Sequence, residues 1–349
     1  MASRPPGDPA PSAASAWPPP ALGALALDSP FLLAPLESVS DAAFRRICWE
    51  LGASLTFTEM VRARAVARRN PSTLALLDLH DPEVPTGIQL LAASDRELRE
   101  ALDALDALAD STHRHLRNAC VIDLNFGCPS PDVIRQGAGP ALLHRRARMR
   151  AIFEVLAAWR ARTRLPVRAI GAKVRLGLHA GEVAHGVVLP VVDAASETLD
   201  YLTVHARHAR QESREPADWA ALAPIVARAR IPIVGNGDVF GRADAERLRA
   251  VSGCAAVLVA RGAIRSPWVF RELRGRGPGL PDADELARVE ARYFALAARY
   301  RTRPKYLEWH REGFRRLRER LAKGSVEGGA GPVVRDRGIA VPRNAHMRG

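Results

Sequence analysis

Cysteine is scarce in this 349-residue chain, which carries only Cys48, Cys120, Cys128 and Cys254. None of them forms a CxxC pair or sits at metal-ligand spacing. That excludes a disulfide framework, gives no reason to expect a metal, and fits a reducing, cytoplasmic setting. No apolar run is long enough to span a bilayer, so no membrane partner is expected. A basic segment followed by an apolar core and a cleavage site is also missing, which argues against a secretory signal. No GxGxxG follows an early strand-like run, and this weakens a dinucleotide-binding open sheet.

Positive charge is present in excess. Lys and Arg number 51 against 38 Asp and Glu, a net of +13. From Arg271 onward the tally is 19 against 10, so most of the excess sits in the last quarter. Such a tail favours an anionic partner, nucleic acid foremost. The alternative is compositional, because the chain is rich in Ala, Arg, Gly and Pro. Residues 1–28 are rich in Pro, Ala and Ser without helical periodicity and are expected to be disordered. The same is expected of the Gly-rich residues 324–349.

Between these ends, short apolar runs alternate with helical patterns. The runs are Phe31–Pro35, Ser54–Glu59, Gly87–Leu91, Val121–Asn125, Ala169–Arg175, Tyr201–His205, Ile231–Gly235 and Ala256–Ala260. Their near-continuous apolar character suits parallel strands covered on both faces. Eight such units predict an α/β chain folded as a (β/α)8 TIM barrel over 29–273. A doubly wound open sheet is the alternative. Helical patterns at Leu286–Tyr300 and Tyr306–Leu321 predict a short C-terminal helical domain over 284–323.

Nearly every predicted strand ends in a residue with chemical use. The most informative stretch is Ile122-Asp123-Leu124-Asn125-Phe126-Gly127-Cys128-Pro129, where an apolar run gives way to a small polar loop with one thiol. Asn125 can aim a neutral amide at a ligand. Cys128 is either an acid, base or nucleophile, or a buried structural cysteine before a turn. The other ends supply Ala34, Pro35 and Leu36, then Gln89, Lys173 and Arg175, then His205 and Arg207. Asn236, Gly237 and Asp238 follow, and then Ala260 and Arg261. In a barrel these converge on one mouth. Gln89 and Asn125 suit the edge of a flat heteroaromatic ring, and Lys173 and His205 can supply positive charge or a donor. The last two strand ends are where barrels commonly build a phosphate cradle. A phosphorylated aromatic cofactor would use all of these, and flavin mononucleotide (FMN) fits. Glu59 is read as orienting a neighbouring loop, Arg175 and Arg207 as either surface or ligand-facing, and Asp238 as a possible helix cap.

These residues lie in motifs that resemble the tRNA-dihydrouridine synthase family. The motifs include Ala34-Pro35-Leu36, Thr58-Glu59-Met60-Val61, Leu124-Asn125-Phe126-Gly127-Cys128-Pro129, Lys173-Val174-Arg175, Val204-His205-Ala206-Arg207 and Gly235-Asn236-Gly237-Asp238. The resemblance runs from about Leu32 to Phe270. It implies an FMN-binding barrel whose helical domain grips tRNA, an enzyme that reduces the C5–C6 bond of selected uridines with NADPH as reductant; the chain is expected to act as a monomer. It further implies that Ala34, Pro35, Leu36, Gln89, Lys173, His205, Asn236, Gly237, Asp238, Ala260 and Arg261 contact FMN. Asn125, Arg175 and Arg207 would meet substrate, and Cys128 would give the proton to C5 as hydride reaches C6. The chain departs from the pattern at Leu36, where methionine is usual, and at Ala260, where glycine is usual. Pro131-Asp132 stand where basic residues are common, and the helical domain is short. Two alternatives follow: a tRNA-binding paralogue with weakened catalysis, or a flavin barrel acting on a small pyrimidine, as dihydroorotate dehydrogenases do.

Overall fold

The computed structural model describes residues 17–324, and the expectations of disorder for 1–16 and for the residues after 324 lie outside that range. Eight strands form the centre: β1 Phe31–Leu33, β2 Thr56–Arg62, β3 Thr86–Leu91, β4 Ala119–Phe126, β5 Ala169–Arg175, β6 Tyr201–His205, β7 Ile233–Asn236 and β8 Ala256–Val259. All neighbouring pairs are parallel, in the order β1-β8-β7-β6-β5-β4-β3-β2. A parallel bridge between Leu32 and Leu55 brings the two ends together into a nearly closed barrel. The open-sheet alternative is therefore excluded. β2 begins two residues later than its apolar run and continues to Arg62, past a register irregularity between Phe57 and Met60.

The strands are buried on both faces, so two cores result. The outer one packs Ile88, Leu90, Ile122, Leu124, Ile170 and Leu202 against the surrounding helices. The inner one fills the barrel with Leu32, Phe57, Val121, Tyr201, Val234 and Leu258. Room for the large interior rings comes from small neighbours: a Cβ on Gly171 would lie 2.2 Å from the Tyr201 ring.

The principal helices are α1 Ala42–Glu50, α2 Asp95–Asp110, α3 Arg146–Arg160, α4 Leu189–Thr198, α5 Arg242–Ser252, α6 Ala283–Arg299 and α7 Pro304–Gly324. The starts of α1, α2 and α6 carry side-chain acceptors for otherwise unpaired backbone N–H groups. Asp41 Oδ1 accepts from Ala43 and Phe44, Ser94 Oγ from Glu97, and Asp282 Oδ1 from Glu285. Gly253, at φ 73, ends α5 in the left-handed conformation that glycine adopts at little cost. α6 packs on α1 and α7 packs on α6, and Tyr293, Leu296, Phe314 and Leu317 join the outer core.

The expectation that all of residues 1–28 are disordered is corrected for 17–28. Ala21–Leu22 and Leu25–Ala26 pair as an antiparallel hairpin. Leu22, Leu25 and Leu27 insert into the inner core and plug the end of the barrel opposite the mouth. Trp17 Nε1 donates to the Ala255 carbonyl at 3.0 Å. Three leucines are enough apolar surface to order a short segment once a barrel floor exists to receive them.

Leu22→Ala is expected to cost about 2–5 kcal/mol, the usual range for a buried leucine. Urea denaturation measures it. A midpoint equal to that of the unchanged protein would mean that the hairpin does not seal the floor.

Candidate active site at the barrel mouth

A chain of buried polar side chains rises through the barrel to the cysteine loop. Tyr201 OH donates to Asp123 Oδ1 at 2.8 Å, and Gln89 Nε2 donates to Asp123 Oδ2 at 2.7 Å. Asn125 Nδ2 donates to Gln89 Oε1 at 2.8 Å. Asn125 Oδ1 in turn accepts from the backbone N–H of Gly127 at 3.0 Å and of Cys128 at 2.9 Å. Strand alternation sets this up, because Asp123 and Asn125 are two residues apart on β4 and share a face. Gln89 pairs in register with Asp123 on the adjacent strand. Burial raises the Asp123 carboxyl to about 6, opposed by the Gln89 and Tyr201 hydrogen bonds and by Lys173. Asp123 therefore costs stability progressively as pH rises from the ordinary carboxylate range to about 6.

Cys128 is half-buried at the mouth. Burial pushes its thiol up, while a hydrogen bond from the Ser130 backbone draws it partway back. The group is thus a protonated thiol at neutral pH. Arg175 supports the same loop from β5, its Nε donating to the Gly127 carbonyl at 2.8 Å and its Nη1 to the His208 carbonyl at 3.1 Å.

Lys173 stands beside Asn125 in the β4–β5 register. Its ammonium makes no hydrogen bond or salt bridge to any described residue, although Asp123 and Cys128 act on it at longer range. Burial, reinforced by Arg175, lowers it to about 7. Arg175, His205 and Asn236 align in one layer across β5, β6 and β7. Burial takes the His205 imidazole well below its usual value, helped by Lys173, Arg175, Arg207 and Arg261. His205 is therefore a neutral donor or acceptor at the mouth, and the possibility that it carries charge falls away.

The β7 and β8 ends form a tight cradle. Gly237 has φ 129, and a Cβ there would lie 2.9 Å from that of Ala217. Asp238, also at positive φ, holds Arg207 Nη2 at 2.6 Å and Arg261. Its Oδ2 accepts from the Ala217 backbone at 2.7 Å. Asp238 does not cap α5, whose N-cap residue is Gly241. Asn236 Nδ2 is spent on the Leu258 carbonyl at 2.7 Å. Ala260 takes φ −113 and ψ −92, outside the regular helical and extended regions.

The structure brings the expected set to one mouth, with differences in role. Arg207 is 2% exposed and bound to Asp238 and the Glu215 carbonyl, so it props the β7 turn and does not face open space. Arg175 and Asn125 are engaged in holding the cysteine loop. Ala34 is buried, while Pro35 and Leu36 are half-buried at the end of β1. Their loop is clamped from the helical domain. Glu59 Oε2 accepts from the Ser38 backbone at 2.8 Å, and Glu59 Oε1 accepts from Tyr306 OH. His310 Nε2 lies 2.9 Å from the Val39 carbonyl and 3.0 Å from Asp41 Oδ2, and Tyr293 OH donates to that same oxygen at 3.2 Å. Sequence reasoning missed Asp123, Tyr201, Tyr293, Tyr306 and His310. Only Asp123 left a signal, as a lone acid inside an apolar run.

Residues present here fit a planar, anionic cofactor. An unpaired ammonium, a neutral imidazole and Arg261, held by Asp238, stand at the mouth, and a glycine turn leaves room at the rim. Among the described residues no group of His, Cys, Asp and Glu is placed to hold a metal, and no helix is long and apolar enough to cross a membrane.

Comparison with known proteins adds a family. The sequence model described as Dihydrouridine synthase (Dus) matches residues 32–323. A probable tRNA-dihydrouridine synthase of Mycobacterium tuberculosis is 33% identical over 317 residues, covering 84% of this chain and 77% of the relative. A tRNA-dihydrouridine(16) synthase of Cupriavidus necator is 34% identical over 265 residues, covering 74% and 77%. Among solved structures, an old yellow enzyme homologue from Zymomonas mobilis superposes with a TM-score of 0.52 at 14% identity, covering 78% of this chain and 95% of that one. Histamine dehydrogenase from Rhizobium sp. 4-9 gives 0.55 at 17% identity, covering 74% of this chain and 48% of that one, so the chain spans about half of it. At these identities the two structures speak for the fold alone.

Asn125→Ala is expected to release the cysteine loop. It removes the acceptor for two N–H groups, at a cost of about 1–3 kcal/mol if those donors stay buried. Alkylation of Cys128 by iodoacetamide, followed by mass spectrometry, should speed up. An unchanged rate would show that Arg175 alone holds the loop.

Proposed function

We propose that this chain, which belongs to the dihydrouridine synthase family, reduces the C5–C6 bond of selected uridines in tRNA, using FMN at the barrel mouth and NADPH as reductant. The observation that carries the reading is the placement of a protonated thiol, Cys128, on a loop hung from Asn125 and next in register to the unpaired Lys173. Bound FMN supplies a hydride to uracil C6. The chain's own residues do the rest. Cys128 Sγ holds the proton destined for C5, and burial keeps that proton in place until charge builds on the ring. Asn125, Gln89 and Arg175 fix the position of the sulfur. Lys173 and neutral His205 would hold the electron-rich part of the cofactor. The Gly237–Asp238 turn, with Arg261, is suited to a phosphate.

A uridine must leave its stack to reach the mouth, at a cost of a few kcal/mol that a tRNA loop minimises. The helical domain supports a grip on RNA, though less through bulk charge than the count suggests. Arg315 and Arg316 are paired with Glu312, and Arg318 with Glu290. These pairs compete with phosphate for the same guanidinium groups. Against the weakened-paralogue alternative stands the presence of Cys128, Lys173 and His205 together at the strand ends of the mouth.

Cys128→Ala is expected to keep its flavin and to oxidise NADPH, while dihydrouridine formation falls by about 10²–10⁴-fold, the usual worth of a positioned acid. Mass spectrometry of treated tRNA reads the product. Normal dihydrouridine yield would remove Cys128 from the acid role.

Lys173 gives a pH test. An anion bound beside it favours the ammonium, so binding takes up a proton, and FMN affinity should weaken as pH rises above about 7. Fluorescence titrations across that range should show the slope in the unchanged protein and its loss in Lys173→Met. Identical pH profiles would place the flavin away from Lys173.

A further inference from the structure

A cavity of about 600 Å³ lies outside the barrel mouth, on the flank between the α6–α7 turn and the irregular segment that follows β2. Three of its lining side chains keep a buried polar atom without a hydrogen-bond partner: Arg45 Nε, Thr302 Oγ1 and Asp78 Oδ1, the last lying 3.8 Å from His80 Nε2. Among the described residues one further such atom is found, His208 Nδ1, which does not line the cavity. Arg45 is 3% exposed, and its other guanidinium nitrogens are committed to the Ser40 and Asp78 carbonyls. Buried donors and acceptors are almost always satisfied. Three orphans in one cavity therefore call for an occupant that both donates and accepts.

The rim supplies a second, independent observation. Arg69 has φ 52 and Arg301 has φ 54, each the left-handed residue that terminates a helix: the N–H of the next residue, Asn70 or Thr302, bonds to the Ala65 or Ala297 carbonyl. Both are exposed, and they come from opposite sides, one from the segment after β2 and one from the α6–α7 turn. Ordered water could satisfy the floor, but it would not use two exposed guanidinium groups placed at the rim from separate segments. Between rim and floor the walls carry Leu74, Leu77, Leu108 and Tyr300 beside the Asp41 and Glu59 carboxylates, with the His80 and His115 rings tilted by 38° at 4.2 Å between centroids.

We propose that this cavity is a nucleotide site, distinct from the barrel mouth, that takes an unstacked base against Arg45, Asp78 and Thr302 with its phosphate on Arg69 and Arg301. A mixed donor–acceptor edge, a flat body and an anionic tail are what these three layers select, and the volume lies within the range of small-ligand pockets. The same chemistry is offered by a free mononucleotide and by a nucleotide turned out of a tRNA. The tRNA source rests on the proposed function; the free source does not.

The test uses flavin-loaded protein, so that the mouth is filled. GMP, AMP, UMP and CMP are titrated by calorimetry, and KM and kcat for tRNA are measured in parallel. The variants are Arg69→Gly, Arg301→Gly and their combination, which remove the guanidinium groups while easing the backbone, so a folding defect does not confound them. At least one mononucleotide should bind, and Arg301→Gly should weaken it by about tenfold, as for loss of one charge-assisted hydrogen bond. Cys128→Ala should bind it as before. A rise in tRNA KM at constant kcat identifies a tRNA nucleotide as the occupant, and an unchanged KM identifies the free one. If no mononucleotide binds and the double variant keeps its tRNA KM, or if binding ignores both glycine substitutions, the cavity is not a nucleotide site. Absence of any dihydrouridine activity would fail the proposed function but leave the mononucleotide titration readable.

Discussion

Asp123 lies inside the barrel, a carboxylate with no exposed edge, and the order of the mouth above it depends on how it is satisfied. Its two oxygens are taken by Tyr201 and Gln89, and the Gln89 amide passes the constraint to Asn125. Asn125 then fixes two consecutive backbone N–H groups, one of them that of Cys128. A buried network of this type is rigid because each missing bond leaves an unsatisfied group in a low-dielectric interior. Burial is not free, as the elevated Asp123 carboxyl shows. What it secures is a thiol with a defined position at the centre of a mouth that otherwise consists of loops.

The second constraint comes from outside the barrel. The β1–α1 loop carries Pro35 and Leu36, and its Ser38 sits at φ 61. Held only by itself, such a loop would relax. Glu59, Tyr306, His310 and Tyr293 hold it through bonds that run from the helical domain to the barrel. The helical domain is thus part of the mouth's architecture. Its arginines divide, several tied to neighbouring glutamates and others free to meet solvent.

Much of the fold was legible because parallel strands covered on both faces leave near-continuous apolar runs, and all eight were in sequence. The N-terminal hairpin was not legible, because a Pro- and Ala-rich stretch with three scattered leucines has the composition of a tail. Only the barrel floor gives those leucines somewhere to go. At the site, residue types at strand ends were readable, but their partners were not. Gln89 and Asn125 looked like open amides, yet each spends its amide within the protein. Arg207 looked ligand-facing, yet it is buried against Asp238.

By itself the sequence determined the eight-unit alternation, the thiol after the fourth strand and the positive residues at the remaining strand ends. These follow from local pattern, since periodicity and strand-end chemistry are short-range properties. Tertiary structure decided which polar groups are spent on one another and which, like Lys173, are left without a hydrogen-bond partner. It also decided that residues more than two hundred positions apart, Glu59 and Tyr306, share one hydrogen bond. The reason is physical: a side chain's free valence depends on what the fold packs beside it, and no stretch of sequence contains its own long-range neighbours.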